Sequence, residues 1–350
     1  MTPLLIGMFH VRKNPEHVSR AYLYAAAAKL EGHDFVYFTS RGVDFDTQTI
    51  QGYYYEKGKW KQKTFPFPDV LINLVAPRTE KQRKVYNQLR KLIPYTSYNV
   101  GSKLDIYRKI EEGKAYIGHL IPYLKVEKTD DVLGFLELYP QAVLKPIVGH
   151  HGDDVYYLEK TPSYYVIRDE EGKESKLWEN TIKPVLRKIL KQRPMLIQKY
   201  IKCQTKDGRP YDIRLHLQKD GEGKWNLAFV QPKVGKHNRI ITNVIKGGEV
   251  PPANRFFREQ FGIRGDTIRR RLSEFALGFA EHFELQYEYF FDEIGIDVGL
   301  DDHEHIWIYE VNSRPGQSFL EGQTARRAIQ YAVYIAKKKR GWMDETDTSS

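Results

Sequence analysis

The sequence predicts a chain of mixed α/β and α+β character that opens with a small open α/β domain. Three observations carry this. Short apolar runs alternate with stretches of helical spacing up to about Tyr98. The segment Asp212 to Gln218 alternates strictly between apolar and polar residues. Near the C-terminus two apolar runs flank a polar turn. With 350 residues, 41% of them hydrophobic, the chain can bury a large core and has the length for two or three domains or subdomains.

Leu4 to His10 reads as the first strand. Pro15 opens a helical pattern through Ala21, Leu23, Ala27 and Leu30, which Gly32 ends. Phe35 to Phe38 is a second strand, and Tyr53-Tyr54-Tyr55 and Trp60 flank Lys57-Gly58-Lys59 as a hairpin. Val70 to Leu74 is another strand, followed by a helix from about Glu80 to Leu92. No Gly-rich dinucleotide fingerprint occurs here. Ser102 to Ile110 is helical, and Ile121-Pro122 breaks the chain. Ala142 to Pro146 is a strand stopped by proline, followed by the loop Gly149-His150-His151-Gly152. Strands at about Val155–Leu158 and Tyr164–Ile167, a helix from Glu179 to Gln192 and a strand from Met195 to Tyr200 come next. In the alternating strand Ile213, Leu215 and Leu217 oppose Asp212, Arg214, His216 and Gln218. Its hairpin partner is Trp225 to Val230, across Asp220-Gly221-Glu222-Gly223. A long helix spans about Asp266 to Leu285. The last helix, Glu321 to Arg340, carries Ala325, Ala328, Ile329, Ala332, Val333 and Ala336 on one stripe. Residues 341–350 form an acidic, Ser/Thr-rich tail expected to be disordered.

A net charge of +10 and a pI of about 9.2 favour anionic partners: nucleotides, nucleic acid or acidic polymers. Cys203 is the single cysteine, so no intrachain disulfide framework exists, which fits a reducing compartment. No secretory signal is evident from Met1 to Phe9, and no run approaches the ~20 apolar residues needed to span a bilayer. The expected location is cytoplasmic. The 24 tyrosines fit a binding groove or β-rich cores equally.

The chemistry concentrates in the C-terminal hairpin. Gly295-Ile296-Asp297-Val298-Gly299 and Ile306-Trp307-Ile308-Tyr309-Glu310-Val311-Asn312-Ser313-Arg314-Pro315-Gly316 flank Asp301-Asp302-His303-Glu304. Strand alternation puts Glu310 and Asn312 on one face. With the turn centred between His303 and Glu304, Asp297 stands opposite Glu310, their Cβ atoms roughly 4.5–5.5 Å apart. Opposed like charges destabilise a sheet unless a cation lies between them. Two carboxylates and an amide oxygen suit Mg²⁺, which takes one or two carboxylates together with substrate phosphates. The bland alternative is a solvated strand face carrying acids by chance.

Elsewhere, Lys145 closes a strand just before the Gly149–Gly152 loop. Glycines let a backbone approach phosphates and a lysine adds a point charge, although a plain turn is the default for Gly-x-x-Gly. Asp212 and Arg214 share a strand face. The bland reading is a surface ion pair worth ~0–1 kcal/mol. His150, His151 and His216 have no zinc spacing. Cys203 has no evident base partner and reads as a packed thiol.

The run from Glu310 to Gly316 preceded by Gly295-Ile296-Asp297 resembles the metal-binding end of the ATP-grasp superfamily, and most of all its endospore coat-associated, YheC/D-like branch. The resemblance covers about Ser102 to Arg340. It implies a pre-ATP-grasp α/β domain over residues 1–98. An ATP-grasp domain would cover 99–340, with a lid subdomain at about 117–200 and a metal-binding subdomain at about 201–340. It implies ATP and Mg²⁺ or Mn²⁺ as cofactors, with Asp297, Glu310 and Asn312 on the metal. Lys145 would contact the α- and β-phosphates, Lys103 would be a first phosphate-directed lysine, and the loop with Gly149 and Gly152 would fold over the phosphates. Gln198, Lys199, Tyr200 and Ile201 would form the adenine-binding strand end, largely through backbone groups. Arg214, Arg239 and Arg314 would serve the transferring phosphate or the substrate carboxylate, and Asn243 precedes Gly247-Gly248 at the expected spacing. The implied activity is an ATP-dependent ligase joining a carboxylate to an amine or thiol acceptor through an acyl phosphate, associated with the endospore coat. The rivals are a non-catalytic ATP-grasp-like coat component and a basic nucleic-acid binder, for which no motif is evident.

Overall fold

β1 (Leu5–Phe9) is apolar and almost wholly buried, as expected for a strand covered on both faces. A computed structural model of the chain describes residues 2–72, 74–149, 153–237, 247–313, 315, 321–339 and 341. α1 (Ser19–Leu30) carries β1 over to β2 (Asp34–Phe38), which lies parallel to it with Met8 opposite Tyr37. The helix expected from Pro15 is divided. Pro15–His17 is a 3-10 turn capped by the Asn14 side chain, and Val18 is extended before α1 begins. β3 (Val43–Asp44), β4 (Thr49–Glu56) and β5 (Lys59–Pro66) extend the sheet. Lys57 and Gly58, at φ 49° and 80°, make the turn whose twist matches a hairpin. β6 (Val70–Ile72) returns to the other side of β1, giving the order β3-β4-β2-β1-β6 with β5 paired to β4. α2 (Glu80–Leu92) follows, closed by a capping box between Thr79 and Gln82.

α3 (Lys103–Gly113) begins at a second capping box, Ser102 with Asp105. The second sheet is antiparallel. It contains β7 (Tyr123–Val126), β8 (Gln141–Pro146), β9 (Tyr156–Lys160), β10 (Tyr165–Arg168), β11 (Glu174–Leu177) and β12 (Met195–Lys199), in the order β11-β10-β9-β8-β12-β7. α4 (Thr129–Leu138) and α5 (Glu179–Leu190) share its core through Val132, Leu136, Ile182 and Leu186 against Leu144 and Ile197. β7, α4 and β11 are additions to the sequence reading.

The third sheet runs β14-β13-β15-β16, from β13 (Tyr211–Lys219), β14 (Trp225–Val234), β15 (Glu293–Leu300) and β16 (Ile306–Asn312). α6 (Ala253–Phe261), another addition, and α7 (Gly265–Glu284) share its core, where Leu272 and Phe279 meet Leu215, Leu217 and Ile296. Ile213, Leu215 and Leu217 are buried as the alternation predicts. The polar face of β13 is also buried, with His216 and Gln218 at 0% and 2% exposure. That corrects the bland reading of Asp212 and Arg214, because their sheet face is covered rather than washed by solvent.

α8 (Glu321–Lys339) packs Ala325, Ala328, Ile329, Ala332 and Ala336 against Ala21, Ala25 and Ala28 of α1 and the β1 side of the first sheet. Of the tail, only Gly341 is described. Among the described residues no helix is long and apolar enough to cross a membrane.

Candidate active site

Asp297 stands opposite Glu310 and Gly295 opposite Asn312. The expected pair forms by a route the sequence does not announce. Leu300 pairs with Ile306 and Val298 with Ile308, so the turn is centred on His303, half a residue from the expected point. A bulge between Asp297 and Val298 sets Tyr309 as the extra residue and restores Asp297 to Glu310. Bulges re-aim groups beside functional sites. Here the Tyr309 carbonyl accepts the Tyr107 hydroxyl at 3.2 Å and lies 3.5 Å from the Lys145 amine, while its hydroxyl donates to Cys203 Sγ at 2.9 Å.

Asp297 is the centre of a buried charge cluster. Arg214 donates Nε to Oδ1 at 2.5 Å and Nη2 to Oδ2 at 2.6 Å, and Lys233 Nζ lies 2.8 Å from Oδ1. Asn312 Nδ2 approaches Oδ2 at 3.4 Å, and Lys233 also reaches Asp212 Oδ1 at 3.2 Å. Burial acts to raise the Asp297 pKa, but Arg214 and Lys233 prevail and hold it well below the usual carboxylate range. Asp212 goes the other way: burial pushes it up to about 6 against the pull of Lys233, and the Asp297 charge adds to the rise. Arg214 crosses the sheet over Gly295. A Cβ there would meet Arg214 Cδ at 3.0 Å and Pro315 Cβ at 2.6 Å, so glycine makes room for the guanidinium.

A second cluster lies beside the bulge. Lys103, in the first turn of α3, pairs with Glu310 at 3.2 Å and reaches the Gly149 carbonyl at 3.4 Å. Lys145 on β8 donates to Gln198 Oε1 at 2.7 Å and to the Tyr107 hydroxyl at 3.2 Å. Burial lowers its pKa to about 8, with Glu310 acting in the opposite sense. At the end of β12, the Lys199 N–H is bonded to the Pro122 carbonyl and the Tyr200 N–H to the Gln141 carbonyl. The Lys199 ammonium lies 5.8 Å above Tyr139, the Tyr200 ring packs edge-on against Tyr157, and Ile201 is buried. Cys203 is buried and its thiol is pushed up to about 12 by that burial, which agrees with a packed role.

The expected residues therefore gather in two groups that divide the expected metal set: Arg214 with Asp297 and Asn312, and Lys103 with Lys145, Gln198, Gly149 and Glu310. Gly152, Arg239, Asn243 and Arg314 lie outside the described residues. Sequence reasoning missed Lys233 and Tyr107. Lys233 had a usable signal: carrying the β13–β14 hairpin past Val230 sets it opposite Asp212. The strand continues through Pro232, where β14 is the outermost strand of this sheet among the described residues and a missing N–H breaks no ladder with β13. Among the described residues no three His, Cys, Asp or Glu side chains gather as a metal cluster. Asp297 and Glu310, opposed across the strands, and Asn312 bring two carboxylates and an amide to this region, with hard oxygens of the kind Mg²⁺ or Mn²⁺ takes, although the Asp297 oxygens here face Arg214 and Lys233.

A model of the YheC/D-like ATP-grasp family matches residues 92–335. The endospore coat-associated protein YheD of Bacillus subtilis (strain 168) is 25% identical over 333 residues, covering 88% of this chain and 71% of that protein. The D-alanine–D-alanine ligase of Coxiella burnetii shares the fold with a TM-score of 0.54 at 9% identity, over 99% of this chain and 100% of that one. The ATP-grasp ligase PsnB, solved with a phosphomimetic variant of its minimal precursor, Mg and ADP, gives a TM-score of 0.54 at 8% identity, over 95% of this chain and 99% of that one.

Proposed function

The chain belongs to the YheC/D-like ATP-grasp family, and from that premise we propose that it is an ATP-dependent, ADP-forming ligase that joins a carboxylate to an amine or thiol through an acyl phosphate. The observation that carries this reading is the pair of adjoining charge clusters: Lys103, Lys145 and Glu310 on one side of the Tyr309 bulge, Asp297, Arg214 and Lys233 on the other. Phosphoryl transfer needs positioning and charge neutralisation more than a protein nucleophile. Lys145, oriented by Gln198 and Tyr107, neutralises the phosphates, and Lys103 joins it from the first turn of α3, where helix N–H groups also favour anions. The end of β12, from Gln198 to Ile201, takes the adenine. Asp297, Glu310 and Asn312 would hold Mg²⁺ or Mn²⁺, which supplies neutralising charge to the triphosphate. Arg214 and Lys233 hold Asp297 ionised and are the donors nearest to it for a transferring phosphate or substrate carboxylate.

The coat-associated name of YheD supports placing this ligase in endospore coat or envelope assembly. The deciding experiment screens Mg²⁺-dependent ADP release against pools of amino acids, peptides and peptidoglycan fragments, then repeats the active case with oxygen-18 in the substrate carboxylate. Label should appear in inorganic phosphate. Release of AMP instead would overturn the acyl-phosphate route. Nucleotide binding without ADP release in any pool would favour a non-catalytic coat component.

A further inference from the structure

The first sheet has a reversal of strand order to which no role has been assigned, and the space outside the strand ends there is a natural crevice. From β1 the chain passes through α1 to β2 on one side, whereas β6 lies on the other, so the order of winding reverses between β1 and β6. In open α/β sheets, ligands bind outside the carboxyl ends of the strands at such a reversal. β1 runs out there into His10, Val11 and Arg12. The chain leaving β6 reaches Arg78 just before Thr79 caps α2.

The residues around this crevice are arranged for an anion. His10 is 6% exposed, its Nδ1 accepts the Arg12 N–H at 3.0 Å, and that nitrogen lies 2.9 Å from the Tyr37 hydroxyl, which donates to the Arg12 carbonyl at 2.6 Å. The ring proton of the neutral imidazole therefore sits on Nε2, whose N–H has no partner among the described residues. Arg12 is exposed and spends one N–H on the His17 carbonyl at 2.7 Å, which ties it to the turn before α1. Arg78 is exposed, and neither arginine pairs with a carboxylate among the described residues. Burial first, and then the charges of Arg12 and Arg78, lower the His10 pKa to about 4, so both guanidiniums act on the same ring. Two cations without a carboxylate partner among the described residues, near a neutral ring donor, contribute little to a fold and much to holding an anion.

The crevice is also mechanically joined to the candidate active site. The segment after α2 returns along β6, with Leu71 bridged to Tyr95 and the Thr96 N–H on the Leu71 carbonyl at 3.0 Å. The Thr96 hydroxyl then donates to Asp292 at 2.8 Å, immediately before β15, the strand that carries Asp297.

We propose that Arg12, Arg78 and the Nε2–H of His10 form an anion-binding subsite for a carboxylate or phosphate group of the substrate, distinct from the carboxylate that is activated. The inference rests on the ligase reading only in calling the bound anion part of a substrate. It makes that substrate at least doubly anionic, which narrows the screen to acidic compounds.

The test uses the full chain without nucleotide or metal, so its outcome does not depend on turnover. Citrate and inorganic phosphate are titrated separately by calorimetry, while the His10 ring nitrogens are followed by NMR. Saturable binding of at least one probe should shift the His10 Nε2 resonance, and the arm that does so tells carboxylate from phosphate recognition. Arg78→Ala, an exposed change that leaves the fold alone, should weaken binding on the order of tenfold, as expected for a lost charge-assisted contact. Arg12→Ala/Arg78→Ala should remove it, Arg78→Lys should keep part of it, and Arg270→Ala on α7 should change nothing. No shift at His10 with either anion, or equal affinity in the double variant, overturns the subsite while leaving the ligase reading to its own screen.

Discussion

Asp297 and Arg214 meet side-on across β13 and β15, through two hydrogen bonds of 2.5 and 2.6 Å between groups that are nearly shut off from water. Such a pair adds modest net stability when intact, yet breaking it strands a charge. Arg214→Ala and Asp297→Ala should each destabilise the chain by roughly 3–5 kcal/mol, read from urea midpoints. Asp297→Asn is not silent either, since Arg214 and Lys233 would both face a neutral amide. Adding Arg214→Met to Asp297→Asn should recover part of the loss. Wild-type midpoints in the single variants would mean that the pair is hydrated in solution.

Glu310 offers the cleaner test of the metal. It is half-exposed, and its contact with Lys103 is a single ion pair at 3.2 Å. Glu310→Gln should leave the unfolding free energy, read from urea curves, within about 0.5 kcal/mol of wild type and lower Mg²⁺-dependent ADP release at least about tenfold, because a charged oxygen donor becomes neutral. Unchanged release at all Mg²⁺ concentrations would remove Glu310 from the donor set.

Lys145→Ala should weaken a non-hydrolysable ATP analogue by roughly 10- to 100-fold, the equivalent of losing one charged hydrogen bond. Lys199→Ala should have a much smaller effect, since its ammonium lies 5.8 Å above Tyr139 and its proposed part in holding adenine is through the backbone. The lowered Lys145 pKa, about 8, adds a sign: analogue affinity should fall as pH rises through that value and the ammonium is lost. Calorimetry on both variants decides, and equal affinities would relocate the phosphate lysine.

His10 makes a prediction about acid. Its folded pKa, about 4, lies below the ~6.5 of an unfolded histidine. Between those values the unfolded chain binds more protons, so stability rises with pH in that window. The His10 contribution is complete above ~6.5 and is lost as the pH falls towards 4. Urea midpoints measured from pH 7 to 4 should drop less steeply in His10→Gln than in wild type, and parallel curves would contradict the assignment.

The sequence made the C-terminal hairpin readable because its polar residues interrupt runs of Ile, Val and Trp at strand spacing. It did not disclose the Tyr309 bulge, since a bulge is a property of two strands and only one partner is seen at a time. Lys233 escaped for a related reason: Pro232 looks like a strand end until the sheet order shows β14 as the outermost strand among the described residues. α4 was hidden by its brevity, ten residues whose apolar positions match a buried strand as well as a helix. The alternation of β13 was legible, but the cover over its polar face comes from elements far away in sequence, among them the Thr324 carbonyl that accepts from Gln218.

α8 has a consequence for how the chain comes off the ribosome. Its alanine stripe, from Ala325 to Ala336, closes over alanines of α1 some three hundred residues upstream, and Arg326 and Gln330 both reach Glu31 at the end of α1. Small side chains let two helices approach closely, but they bury little apolar area individually, so neither helix has a strong reason to settle without the other. During synthesis the first sheet must wait, its α1 face open to water and to neighbouring chains, until α8 emerges. The α1 face of the first sheet is thus completed by a helix made some three hundred residues later, and its exposure to misassembly lasts through that interval.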